Sequence, residues 1–322
     1  MKSNTLSKKN KSGLPYLDDF ILHLQTNNFS RETIYNYERD LSVFADFLER
    51  DLKIEFKSIN KLAVDRYKAF LASRDRRTPE GASAKKSLSA LSLNRMLSSI
   101  RRYIKYLIDM DYPAPLAPEA IKLTKTPRKH PRVAEFEALV RLIESPTLLE
   151  KNKVIGIRNR AMLETLFATG MRISELLSLN RNQLDKTGRI FIRGKGRKER
   201  FVYLTERAKK SIQQYLTTRA DDTQALFTPF RGRNASTIAA RISPNYLQMK
   251  IKQYREQLGI NVPTSAHSLR HGFATYLAEQ GANPAAIQIL LGHESLQTTT
   301  RYVHASDKYA EKSHQQFHPL KN

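Results

Sequence analysis

The chain has 322 residues, enough for about two domains at roughly 150 residues each, and its 55 Lys and Arg against 31 Asp and Glu leave a net charge of +24. The surplus is spread along its length, with 21 basic against 14 acidic side chains in residues 1–118 and 34 against 17 in the remainder, and a charge of that size repels itself unless a polyanion, usually nucleic acid, offsets it. The lack of cysteine excludes disulfides, thiolate metal sites and cysteine nucleophiles; no apolar run is long enough to span a bilayer, no strongly amphipathic basic helix favours a lipid surface, and the opening MKSNTLSKKNKSG lacks the apolar stretch of a signal peptide, so a cytoplasmic protein with a polyanionic partner is expected.

In chain order, residues 1–13 read as a flexible basic tail and residues 14–111 as a helical domain of the four-helix-bundle type. Ser30 is a suitable N-cap, with Glu32 in the first turn, and Ile34, Tyr37, Leu41, Phe44 and Leu48 follow at steps of three and four to give one apolar face. A second such helix is expected over Leu62 to Ala72 and a third along Leu93, Leu97, Ile100, Ile104 and Leu107, whose opposite face carries Arg95, Arg101, Arg102 and Lys105. Tyr35, Tyr37, Tyr103 and Tyr106 are assigned to core faces, and the polar stretch Arg74 to Lys86 to a loop. Residues 112–131 hold Pro113, Pro115, Pro118, Pro127 and Pro131, which do not fit a packed helix; this is read as an extended basic linker and the domain boundary.

The second domain, residues 132–305, reads as mixed. Helices are expected over Phe136 to Ile143 and Ile157 to Thr169, with Gly170 as the C-cap and a short helix around Ser174 to Leu177. Arg189 to Arg193 and Arg200 to Leu204 flank GKGRKE as a β-hairpin, and the rest is mainly helical with breaks at Pro244, Gly259, Pro263, Gly281 to Pro284 and Gly292. Residues 306–322 form a tail.

The chain has no Gly-x-x-x-x-Gly-Lys-Ser/Thr loop for nucleotide phosphates, no His-Glu-x-x-His and no paired-carboxylate cluster. Phosphoryl transfer without a metal needs fixed cations for the phosphate oxygens, a nucleophile and a proton donor for the leaving group. TSAHSLRHG sets His267 and Arg270 three residues apart, on one side of a helix; LLGHESLQTTTRYVH sets Tyr302 nine positions after His293; ATGMRISELLSL sets Arg172 directly after a glycine turn, with Glu175 one helical step away to orient it. Lys195 lies between two glycines among Arg193, Arg197, Lys198 and Arg200, any of which can touch phosphate. Tyr276 is the competing phenol on the motif helix but lacks the offset from His293, and His271 reads as a packed helix residue.

Three blocks in this order, ATGMRISELLSL, RGKGRKER and HSLRH…LLGHESLQTTTRY, resemble the tyrosine site-specific recombinase (phage integrase) family, and with the C-terminal HQQFHP the chain is most similar to its Xer-type members. The resemblance implies a mainly α fold with a small β-sheet, an N-terminal core-binding domain and a C-terminal catalytic domain that clamp DNA like a C. It matches Arg172, Lys195, His267, Arg270, His293 and Tyr302 to the catalytic positions, with Tyr302 as nucleophile, the arginines on the phosphate, Lys195 as proton donor to the leaving 5′-oxygen, His267 as general base and His293 as a hydrogen-bond donor to the phosphate. It further implies a 3′-phosphotyrosyl intermediate, no metal, no ATP and no other cofactor. The partners it implies are double-stranded DNA with two recombination sites and a ring of four protomers, of one kind or shared with a paralogous recombinase, whose tails at 306–322 dock on neighbours. Resolution of chromosome or plasmid dimers is the leading role. A mobile-element integrase, a swivelling topoisomerase and a non-catalytic DNA-binding regulator are the alternatives.

Overall fold

In the first part of the chain, three of the four α-helices begin where the sequence supplies a side-chain cap. The computed structural model, which describes residues 13–73, 88–126, 134–185, 187–193, 199–230 and 240–292, has α1 at Leu17–Thr26, α2 at Arg31–Asp46, α3 at Lys61–Ala72 and α4 at Ala90–Asp109. Ser30, Asn60 and Ser89 accept the backbone N–H groups of Thr33, Ala63 and Ser92 at 3.1, 3.0 and 3.2 Å, each satisfying an N-terminal donor that the helix itself leaves unpaired. The expected apolar stripes then meet: α1 packs on α2, and α2 and α3 pack on α4. Phe20, Leu41, Phe44, Tyr67, Leu97 and Tyr103 are fully enclosed, each worth about 1.5–3 kcal/mol of burial. Arg95 leaves the polar face of α4 to bond the buried carboxylate of Asp40, which also accepts Ser99 Oγ at 2.9 Å. Tyr35 departs from the expectation: it is 60% exposed. It lies one residue off the stripe, which rotates it about 100° out of the core, and its ring lies 5.9 Å from the Arg39 guanidinium carbon.

Residues 112–126, read as linker, follow the bundle closely. Tyr112 stacks on Tyr16 at 3.8 Å, Ile121 is wholly buried, and the Asn94 amide both donates to and accepts from the Thr124 backbone at 2.8 Å. The prolines keep this segment from continuing α4, Pro118 opens a single 3-10 turn ending at Ala120, and the apolar side chains Tyr112, Ala114, Leu116 and Ile121 pack on the bundle. The compact units of the chain are accordingly Met1–Lys129 and His130–Asn322. The expected tail at 1–13, but for Gly13, and the loop at Arg74 to Lys86 lie outside the described residues.

In the second unit, α5 (Phe136–Glu144) and α6 (Pro146–Leu149) lead into α7 (Lys153–Thr169), with α8 (Ile173–Ser178) after it. The strands β1 (Arg189–Arg193) and β2 (Glu199–Tyr203) pair antiparallel, and α9 (Glu206–Leu216), α10 (Pro244–Gln257), α11 (Ala266–Glu279) and α12 (Pro284–Leu291) follow. α7 is surrounded by α6, α9 and α11, so its buried polar residues need partners: Arg158 donates to Thr228 O at 2.9 Å and to Tyr246 Oη at 2.6 Å, and Asn159 donates to Tyr254 Oη at 2.6 Å. β2 starts one residue earlier than expected because Glu199 pairs with Arg193 across the ladder, at 3.0 Å. The alternation of the hairpin turns Ile190, Ile192, Arg200 and Val202 inward. Among the described residues no helix is long and apolar enough to cross a membrane.

Candidate active site

The site is built where three chain turns meet. α7 ends at Gly170, whose φ of +60° is the left-handed geometry of a helix C-cap. A Cβ at this position would stand 2.3 Å from the Phe273 ring of α11, so the glycine also permits the close approach of α11. Met171 then anchors the chain in the core, and Arg172 becomes the residue that opens α8. Three residues on, Glu175 reaches back: its Oε2 accepts the Arg172 backbone N–H at 2.7 Å and its Oε1 accepts Arg172 Nη1 at 3.0 Å. Glu175 is therefore the orienting carboxylate that the three-residue spacing suggested.

α11 supplies the next two groups. Ser265 caps it by accepting the Ser268 N–H at 3.2 Å, which sets His267 in its first turn and Arg270 one turn later. Arg270 is buried, and its guanidinium bridges two backbone carbonyls from remote segments, Gly170 O at 2.7 Å and Leu291 O at 2.6 Å. The turn that presents Arg172 and the end of α12 are thus tied to one cation. α12 closes at Gly292, again left-handed at φ +64°, and the next residue in sequence is His293.

His267 lies beside both arginines. Burial, together with the Arg270 and Arg172 charges, holds its imidazole below the ordinary value of 6.5. Its Nε2 is 2.8 Å from Nε2 of His271, one turn further along. Burial, with the neighbouring His267 and Arg270, pushes His271 down to about 4. Burial would raise the Glu175 carboxyl, but bonds from Arg200 and from the Arg172 backbone, with the charges of both guanidiniums, outweigh it and hold the group below the usual carboxylate range.

Arg172, His267 and Arg270 are brought together. Lys195, His293 and Tyr302 lie outside the described residues, as does the tail at 306–322. Tyr276, the rival phenol, serves the fold: its hydroxyl donates to Ala134 O at 3.0 Å, its ring meets Phe136, and burial with nearby glutamates pushes it up to about 12. Arg200 stands in the basic run around Lys195, any member of which can touch phosphate. It is buried, with Nη1 and Nη2 on the two oxygens of Glu175 at 3.0 and 2.7 Å and Nε on Leu290 O at 2.8 Å. The alternation of the ERFVY strand, which puts position 200 on the same face as Val202, is the signal that marks it.

The chemistry available to this arrangement is anion binding by guanidiniums with a neutral imidazole at hand. Residues 133–309 match the phage integrase family model, and residues 17–110 match the phage integrase N-terminal SAM-like domain. Tyrosine recombinase XerD of Staphylococcus epidermidis is 32% identical over 311 residues, covering 94% of this chain and 98% of that protein. Tyrosine recombinase XerC of Pelobacter propionicus is 33% identical over 293 residues, covering 89% of each. Among solved structures, the XerH recombinase bound to palindromic difH substrate in a post-cleavage complex aligns with a TM-score of 0.69 at 22% identity, covering 92% of this chain and 82% of that one. A lambda integrase tetramer bound to a Holliday junction aligns at 0.67 and 14%, covering 91% and 77%; at such identities these two show the shared fold. The chain belongs to the phage integrase family of site-specific tyrosine recombinases.

Proposed function

We propose that the protein recombines double-stranded DNA by the following chemistry. Tyr302 Oη attacks a backbone phosphorus, a bond forms between the phenolic oxygen and phosphorus, the P–O5′ bond breaks, and the 5′-oxygen leaves with a proton from Lys195. His267 accepts the Tyr302 proton and returns it on rejoining. Arg172 and Arg270 hold the non-bridging oxygens where negative charge gathers in the five-coordinate transition state; the planar, permanently charged fork of arginine suits that task. His293 adds a hydrogen bond to the same phosphate. The ester to Tyr302 stores the energy of the broken bond, so the rejoining step draws on no ATP.

The observation that carries this reading is the buried Arg270, held between Gly170 O and Leu291 O. One guanidinium joins the Arg172 turn, the His267 helix and the end of α12, two residues before His293 in sequence, and a cation fixed in this way supports an in-line phosphoryl transfer. The depressed His267 supports a base role, since an imidazole must be neutral to take a proton. The net charge of +24 supports DNA as the partner and makes affinity fall steeply with salt.

Within this reading the working assembly is four protomers on two DNA sites, of one kind or shared with a paralogous recombinase, with residues 306–322 docking on a neighbour. The biological role is resolution of chromosome or plasmid dimers. Incubation with a duplex nicked near the cleavage position traps the intermediate. The full chain is expected to become covalently joined to the 3′-phosphate, visible in a denaturing gel, and Tyr302→Phe to bind the same duplex without forming the adduct. Binding with no adduct from the unmodified chain would leave only a DNA-binding regulator.

A further inference from the structure

We propose that Arg200 is a positioning residue of the strand-cleavage reaction: it takes up the charge of Glu175, so that Arg172 is held by that carboxylate without being neutralised by it. The inference rests on the recombinase reading above and concerns a residue that touches neither the phosphate nor Tyr302 in that scheme.

Glu175 is buried and receives four donors, two on each oxygen: Arg172 N and Arg200 Nη2 on Oε2, both at 2.7 Å, and Arg172 Nη1 and Arg200 Nη1 on Oε1, both at 3.0 Å. Its two cationic partners are engaged differently. Arg200 meets it with both terminal nitrogens, the fork geometry that matches carboxylate best, and is itself buried. Arg172 gives it a single side-chain nitrogen, and its side chain is 36% exposed. A carboxylate paired with Arg172 alone would orient it and also cancel its charge. With Arg200 present, that one carboxylate faces two guanidiniums, those of Arg172 and Arg200.

A second contact fixes where Arg200 sits. Its Nε donates to Leu290 O at 2.8 Å, one carbonyl before the Leu291 oxygen that receives Arg270. Arg200 and Arg270 therefore share the C-terminal end of α12, where unpaired carbonyls favour cations. Gly292 lies so close that a Cβ there would stand 3.1 Å from the Arg200 side chain. Arg200 is thus held by two separate elements, and its own movement cannot easily relax a change at Glu175.

The test is single-turnover cleavage by the full-length chain, on a nicked duplex carrying the site that the chain itself selects from random-sequence duplexes. The rate constant and the amplitude of adduct formation are read separately. Misfolded protein lowers the amplitude, whereas an uncompensated carboxylate lowers the rate constant of molecules already bound. Arg200→Met is expected to slow the rate constant by about 100-fold, Arg200→Lys, which keeps the charge, by less than about tenfold, and Arg200→Met combined with Glu175→Gln to return to within about tenfold of the unmodified chain. The double variant also guards against failure to fold, because replacing both members of a buried ion pair is commonly tolerated where breaking it is not. If Arg200→Met changes only amplitude or melting temperature, or if adding Glu175→Gln leaves the rate constant where Arg200→Met put it, the positioning role is wrong. Absence of adduct from the unmodified chain instead overturns the recombinase reading, and this inference with it.

Discussion

The two units bury different chemistry. Among the described residues, the first encloses an apolar interior whose buried polar side chains are Asp40 and Ser99, with Arg95 closing the charge on Asp40. The second buries Arg158, Asn159, Glu164, Glu175, Arg200 and Arg270 along with its apolar core. Hydrophobic burial is enough to order a helical bundle. Enclosed charges must instead be matched one by one, and doing so contributes little net stability because desolvation consumes much of the attraction. The second unit keeps several such pairs, and the pairs through Glu175 and the bonds of Arg270 converge on one cluster. Their arrangement is better explained by a reaction that needs fixed positive charge than by the needs of folding.

The sharpest way to break this contrast is to remove the central cation. Arg270→Leu is expected to lower single-turnover adduct formation by about 1,000-fold or more, through loss of a preorganised charge at the phosphate. It also strips the Gly170 and Leu291 carbonyls of a buried donor, at a cost of about 1–3 kcal/mol in urea unfolding of the second unit. A variant that unfolds more easily yet cleaves at the original rate would reduce the cluster to scaffolding. The counterpart in the first unit is Leu97→Ala, where Leu97 is fully enclosed on α4. It is expected to cost about 2–5 kcal/mol and to leave the rate constant of bound complexes unchanged. A changed rate constant at saturating protein would show that the apolar unit also shapes the reacting geometry.

The same contrast governs how much was legible in the sequence. In the first unit, periodicity with the Ser30 cap locates α2, and periodicity alone locates α3 and α4, because burial there follows from a stripe: Leu41, Phe44, Leu93, Leu97 and Leu107 are buried where the spacing puts them. The exceptions are Tyr35, which sits off the stripe and points out, and residues 112–126 of the expected extended linker, which pack on the bundle and include a 3-10 turn. In the second unit the spacing of residue types singles out Arg172, His267 and Arg270, which the fold brings together, and the three-residue step to Glu175 matches the bonds that carboxylate makes to Arg172. Arg200 escaped because it stands in a run of basic residues, where charge suggests solvent; strand alternation alone argues otherwise. His271 was read as a packing residue, yet its four-residue step from His267 is the helical spacing at which side chains meet. Periodicity locates faces, but which buried ions pair depends on contacts between segments far apart in the chain, such as Arg200 with Glu175 and Arg270 with Gly170.

The smallest of the expected effects is a dependence on pH. Both imidazoles of the α11 pair are held below the ordinary 6.5, His271 down to about 4. Around them stand Arg270 and Arg172, which oppose a further positive charge. In the folded chain these rings stay neutral where the unfolded chain would already be protonated, so below 6.5 the unfolded state binds more protons. The stability that follows from their neutrality is complete above 6.5 and is lost as pH falls from there through about 4. The slope is bounded by about 1.4 kcal/mol per pH unit for each proton, and it should be smaller here because the pair is half open to solvent. Glu175 adds a loss of the same sign, but only below its ordinary 4.5, where the unfolded carboxyl takes a proton that the folded one resists. Urea titrations between pH 7.5 and 5 therefore isolate the histidines. His271→Leu is expected to flatten the fall in that interval, since it removes one of the two reluctant sites and relieves the other of its neighbour. An undiminished slope in the variant would mean that protonation elsewhere in the chain governs acid stability, and that the pair holds its neutral form at no cost to the fold.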